Sequence, residues 1–113
     1  KGVSRIYQRA VPTISQEIAQ QQHNAQTIAD YLLNQKWVHR AWWGENAFML
    51  IAQTEEPEVL KNHLMQHGVE SATHFARAIE WAREFGYTPG ECPTAEQLTK
   101  KLVMIPTYKQ IDL

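Results

Sequence analysis

The chain has one cysteine, Cys92, in 113 residues. An internal disulfide is therefore excluded, and so is a four-thiolate zinc site within one chain. This sparing usage fits a reducing compartment, and the expected localisation is cytoplasmic. Long apolar runs are also missing. No stretch approaches the roughly 20 apolar residues a membrane-spanning helix requires, so no membrane partner is expected. Charge of one sign is not in excess either, with eleven Lys and Arg against twelve Asp and Glu. The one adjacent basic pair is Lys100-Lys101. A nucleic-acid partner, which needs a basic face for phosphates, is not expected. Glycine is scarce, and neither a glycine-rich phosphate loop nor a nucleophile-elbow signature occurs. The start, Lys1-Gly2-Val3-Ser4-Arg5, has no initiator Met and no signal-peptide core. It reads as a cut, and the expectation is a single domain over 1–113 taken from the C-terminal part of a larger chain.

What is present supplies a core. Hydrophobic residues make up 43% of the chain, with four Trp and three Phe, which argues against wholesale disorder. Residues 1–12 form a poorly assigned lead-in that Pro12 interrupts. Thr13 followed by Gln16 then reads as a capping box. Ile14, Ile18, Ala25, Ile28, Ala29 and Leu32 recur at helical spacing, while Gln20, Gln21, Gln22, Asn24 and Asp30 fall on the other face. The spacing predicts an amphipathic helix over 14–33. Trp37-Val38 and Ala41-Trp42-Trp43, a turn at Gly44-Glu45-Asn46, and the apolar run 47–52 predict a hairpin. The second strand is apolar on both faces, so each side needs a cover.

Pro57 suits a first helical turn. Val59, Leu60 and Leu64 are expected on one face, and Gly68 is expected as a left-handed cap. Residues 69–73 read as a short strand and 76–85 as a helix stopped by Gly86. Pro93, Glu96, Leu98 and Leu102 mark a last helix that Ile105-Pro106 ends. The predicted fold class is α/β, of α+β character, with a small, mainly antiparallel sheet and helices packed over it.

Several side chains are candidates for chemistry. His63 and His67 stand at i,i+4, a spacing that can hold a metal. Between them lie Leu64-Met65-Gln66 rather than a base glutamate, and no third ligand is close in sequence, so no metal site is expected. Histidines also suit a helix C-terminus. His74 lies between a predicted strand and a predicted helix, where a scaffold can hold a functional group; a lone histidine is as readily a surface residue. Cys92 stands near a helix start, which lowers a thiol's pKa, although burial is the commoner role. Arg77 and Arg83 suit phosphate or carboxylate, or simply a solvated face. Adjacent Trp42 and Trp43 point to opposite faces of a strand, so one of them needs a helix, a partner domain or a ligand over it.

The late segments carry a resemblance. Gly68-Val69-Glu70-Ser71-Ala72-Thr73-His74-Phe75 resembles a glycine, a short strand and a His-Tyr pair. Cys92-Pro93-Thr94-Ala95-Glu96-Gln97-Leu98 and Val103-Met104-Ile105-Pro106-Thr107-Tyr108 resemble a CP-x-A-E motif and an LP-x-[HY] motif. Together they resemble the C-terminal small domain of the DegT/DnrJ/EryC1/StrS family of pyridoxal-phosphate-dependent sugar aminotransferases, which have fold type I. From about Gln20 onward the order of elements is similar as well. Phe75 stands for the usual Tyr, Ala76 for a frequent Pro and Ile105 for the common Leu. The first twenty residues match poorly. A divergent enzyme and a homologue without activity both fit these departures.

The resemblance implies a parent enzyme moving an amino group from glutamate to a nucleotide-linked keto sugar, with pyridoxal phosphate as cofactor. It implies an upstream large domain and a homodimer as partners. His74, Phe75 and Arg77 become the cleft or substrate-side candidates, while Pro93, Glu96, Pro106 and Tyr108 shape the domain. No catalytic residue and no cofactor contact is expected on this stretch, because none of its six lysines stands in the family's cofactor context. The alternative is a stand-alone ligand- or protein-binding module without catalysis, using Trp42, Trp43 and the His74 loop.

Overall fold

A computed structural model describes residues 2–108. The chain begins with helix α1, Gly2–Leu33, followed by strands β1, Val38–Trp43, and β2, Met49–Thr54. Helix α2, Pro57–Gln66, comes next. A 3₁₀ turn, His74–Arg77, leads into helix α3, Ala78–Glu84. Helix α4, Pro93–Thr99, and strand β3, Leu102–Pro106, complete the order. The sheet is antiparallel throughout, in the order β1-β2-β3. The expected α+β class, with a small antiparallel sheet under helices, is what the chain forms.

The sheet's inner face follows from strand alternation. In β2, Leu50, Ala52 and Thr54 are buried while Met49, Ile51 and Gln53 are half-covered. Their register partners Ile105 and Val103 on β3 are fully buried too. Ile28, Ala29 and Leu32 of α1 and Leu60 and Leu64 of α2 complete this core. Spacing of three and four residues puts each trio or pair on one helical face. Leu50 in the core agrees with the predicted packing of the long helix on the sheet. Phe48 precedes the strand and is exposed.

The structure corrects several expectations. Helix α1 does not begin at Thr13 but runs from Gly2 through Pro12, so the lead-in is helical. Pro12 cannot give an N–H to the carbonyl one turn earlier. Thr13 does not cap; its hydroxyl donates to the Ala10 carbonyl at 2.8 Å inside the helix. Val3, Ile6, Val11 and Ile14 are exposed, so only the later part of the apolar stripe enters the core. Asn24, assigned to the polar face, is buried. Val59 is exposed and does not share the face of Leu60 and Leu64.

The largest correction is at residues 102–106. They form β3 rather than continuing the last helix, which ends at Thr99. A short apolar run fits either state, and pairing with β2 decides for the strand here. Conversely, 69–73 is not a strand. Its one ladder contact is an isolated bridge from Ala72 to Met104. The helix read at 76–85 is divided between the 3₁₀ turn and α3. Gly68 and Gly86 stop their helices at φ 76° and 96°, as a left-handed cap requires.

Candidate functional site

The His74 turn is placed by β3. Ala72 N–H donates to the Met104 carbonyl at 3.0 Å, and Met104 N–H returns to the Ala72 carbonyl at 2.8 Å. His74 stands two residues beyond this double anchor, on the outer side of the sheet's β3 edge. His74, Phe75 and Arg77 are all exposed on one short 3₁₀ turn. Arg77 is occupied on both sides. Its Nε donates to Glu80 Oε2 at 3.0 Å, and its guanidinium carbon lies 5.9 Å from the Trp81 ring centre. The three candidates therefore share one turn, without mutual hydrogen bonds among the described residues. Arg83 is exposed on α3.

The Cys92–Leu98 motif forms a clamp. Glu96 Oε1 accepts from the Tyr87 hydroxyl at 2.6 Å and from Gly90 N–H at 2.7 Å. The Tyr87 oxygen accepts from Cys92 N–H at 3.1 Å. One carboxylate thus ties the end of α3 to the start of α4 and closes the loop at 88–91. Gly90 takes φ 100°, a conformation open to glycine. The Tyr87 hydrogen bond, helped by Gly90 N–H, holds the Glu96 carboxyl below the usual range. The same bond raises the Tyr87 phenol. Cys92 is exposed at the N-cap of a seven-residue helix. Pro93 fills the first helical position, and Pro106 ends β3.

A second polar lock was not legible in the sequence. Asn24 Nδ2 donates to the Thr107 carbonyl at 2.9 Å, and its Oδ1 accepts from Gln20 Nε2 at 2.9 Å. The Thr107 hydroxyl donates to the Ala47 carbonyl. Ala47 is buried at φ 50° in the hairpin turn. Gln22 Nε2 reaches the Glu45 carbonyl of the same turn. Helix α1, the end of β3 and the hairpin tip are therefore joined by side-chain bonds, those of Asn24 and Thr107 to backbone carbonyls being buried and that of Gln22 exposed. A third bridge is exposed, where Glu55 Oε1 accepts from Lys101 Nζ at 2.9 Å and lies 3.5 Å from His39 Nε2. Lys101 chiefly keeps the Glu55 carboxyl below its ordinary range. Residues 46 positions apart in sequence give no local pattern by which to find such a pair.

The remaining candidates separate. Trp43 packs against the core, whereas Trp42 is exposed, with the Arg40 guanidinium carbon 5.3 Å from its ring centre. The second tryptophan thus finds part of its cover within its own strand. His63, in the last turn of α2, and His67, the residue that caps it, lie side by side. Among the described residues no three His, Cys, Asp or Glu side chains gather as metal ligands.

Two grooves stand out among the described residues, and neither of these is lined by the His74 turn. One, of about 300 Å³, is lined by Glu17, Gln20, Gln21 and Tyr108. The other, of about 140 Å³, is lined by Gln53, Thr94, Gln97, Leu98 and Lys101. A pyridoxal phosphate site needs a lysine for the aldehyde, an acid for the ring nitrogen and donors for the phosphate. Neither of these two grooves is lined by all three. Lys101 borders the smaller groove, yet its ammonium is tied to Glu55, and no carboxylate lines that groove. The larger groove holds Glu17 but no lysine. Among the described residues no helix is long and apolar enough to cross a membrane.

The model of the DegT/DnrJ/EryC1/StrS aminotransferase family matches residues 5–113. No curated protein and no solved structure matches the chain.

Proposed function

The chain belongs to the DegT/DnrJ/EryC1/StrS aminotransferase family, and from that premise we propose that it is the C-terminal small domain of a sugar aminotransferase. The parent reaction moves an amino group from glutamate to a nucleotide-linked keto sugar. Pyridoxal phosphate supplies the electron sink for that exchange. Its lysine, ring-nitrogen partner and phosphate donors belong to an upstream large domain, and the working form is a homodimer. This stretch contributes a wall of the cleft.

The observation that carries this reading is the pairing of a family match over 5–113 with the use of the motif glutamate. Glu96 is spent on Tyr87 and Gly90, so the motif shapes a loop and does not present a free acid. Beside that frame the side chains of the His74 turn are exposed. His74 can donate or accept one hydrogen bond at a substrate hydroxyl or phosphate. Arg77 gives only its Nε–H to Glu80, and its remaining guanidinium donors and positive charge suit the diphosphate of a nucleotide sugar. Phe75 offers an apolar face without the hydroxyl of a tyrosine.

The test joins this chain to its native large domain and supplies isotopically labelled glutamate with nucleotide-linked keto sugars. Label in the nucleotide amino sugar is the expected result. His74→Ala and Arg77→Ala are expected to raise KM for the nucleotide sugar more than they lower kcat, since they bind substrate rather than perform the transfer. A cofactor-loaded protein that aminates no nucleotide-linked sugar defeats the proposal.

A further inference from the structure

We propose that His63 and His67 form a surface chelate for a divalent transition-metal ion, binding copper(II) more tightly than nickel(II) or zinc(II). His63 lies in the last turn of α2 and His67 is the residue that caps the helix C-terminus; the bond from His67 Nδ1 to the His63 carbonyl turns the second ring back beside the first. Their centres are 4.7 Å apart and their planes are tilted by 52°. Two nitrogens about 2.0–2.1 Å from a shared ion, at roughly a right angle to each other, put their imidazole centres about 4.5 Å apart. The rings are already at that separation before any ion arrives.

Each ring has one nitrogen engaged and the other without a partner among the described residues. His67 Nδ1–H donates to the His63 carbonyl at 2.9 Å, which leaves the His67 lone pair on Nε2. His63 Nε2 meets the Tyr31 hydroxyl at 3.0 Å. With Nε2–H donating to that oxygen, the His63 lone pair lies on Nδ1. A ring tied through its second nitrogen is how a metal-binding histidine is fixed in tautomer and direction. Tyr31 comes from α1 and also stacks on His63, with centres 6.0 Å apart and planes 4° from parallel. The neighbouring helix therefore supplies the outer support.

Two neutral imidazoles favour a borderline ion, and affinity rises from nickel to copper and falls at zinc. Water completes the coordination. Leu64-Met65-Gln66 between the histidines provides no glutamate base, so the site binds an ion without the hydrolytic machinery of an H-E-x-x-H helix.

Copper(II) titration of the 113-residue chain, read by electron paramagnetic resonance, tests this. One tight ion per chain with two imidazole nitrogens is expected, followed in affinity by nickel(II) and zinc(II). Loss of either ligand removes the chelate, so His63→Gln and His67→Gln should each weaken copper binding on the order of 100-fold. Tyr31→Phe removes only the outer support and should cost about tenfold. His23→Gln and His39→Gln should leave the tight site unchanged. A one-nitrogen signal, or an unaltered affinity in either ligand variant, overturns the proposal. Circular dichroism checks that each variant keeps its helices. Nuclear magnetic resonance of the unmutated chain is independent of any variant: substoichiometric copper should broaden His63 and His67 first. First broadening at His23, His39 or His74 also overturns it.

Discussion

Asn24→Ala separates two readings of the long helix. On the sequence pattern alone Asn24 lies among Gln20, Gln21 and Gln22 on a solvated face, where truncation changes stability by about half a kcal/mol or less. In the structure it is 1% exposed and gives its amide to the Thr107 carbonyl at 2.9 Å. Thr107 is itself fully buried. Truncation leaves that carbonyl without its amide donor, a loss of about 1–3 kcal/mol for a buried polar group. The vacated volume adds a smaller cavity cost, so about 2 kcal/mol or somewhat more is expected overall. Asn24→Asp keeps the volume but exchanges the amide donor for a second acceptor facing the carbonyl, and should be worse at neutral pH. Urea unfolding at fixed temperature, fitted with a common m-value, measures the difference. A midpoint for Asn24→Ala indistinguishable from the unmutated chain would refute the buried lock.

Leu32→Ala, which empties a fully buried position of the core, should cost about 2–5 kcal/mol in the same urea experiment; a cost below about half a kcal/mol would remove Leu32 from the core. Gly68→Ala adds no clash, since nothing lies within 4 Å of its new Cβ, but φ 76° should still cost about 1–2 kcal/mol, read as a lowered Tm. Glu96 has a depressed folded pKa, so its clamp contributes above the unfolded glutamate value and is lost as pH falls through the folded value. Tyr87 is raised, so its contribution is full below the unfolded phenol value and is lost as pH rises through the folded one. Glu96→Gln should flatten stability against pH on the acid side. An acid limb as steep as that of the unmutated chain would show that Glu55, whose carboxyl is also depressed, carries the effect instead.

The parts legible in the sequence were those with a local period or a punctuating residue. The recurrence of Ile28, Ala29 and Leu32 located the buried stripe of α1, and Pro57, Gly68 and Gly86 marked helix ends because their backbone preferences act where they stand. The hairpin was readable from two apolar runs about Gly44. The fate of residues 102–106 was not, because Leu-Val-Met-Ile suits either a helix end or a strand until β2 offers its unpaired edge. Pro12 misled in the opposite direction: it lacks an amide donor and ordinarily breaks a helix, yet α1 runs through it. Asn24 could not be recognised as buried, since its partner Thr107 lies 83 positions away. In the candidate site, the resemblance drew attention to the His74 turn and the Glu96 motif. The partners that occupy Arg77 and Glu96, namely Glu80, Trp81, Tyr87 and Gly90, required three-dimensional distances.

The most direct test of the central claim, that this chain supports an amino transfer whose cofactor is held by another domain, is the cofactor content of the 113-residue chain after exposure to pyridoxal phosphate and exhaustive desalting. Surface lysines form weak, nonspecific adducts, so the quantity to measure is bound cofactor per chain together with amino transfer from glutamate. The account predicts far less than one cofactor per chain and no transfer by this chain alone, with both appearing when the native large domain is joined to it. One cofactor retained per isolated chain, with catalytic turnover, would contradict it.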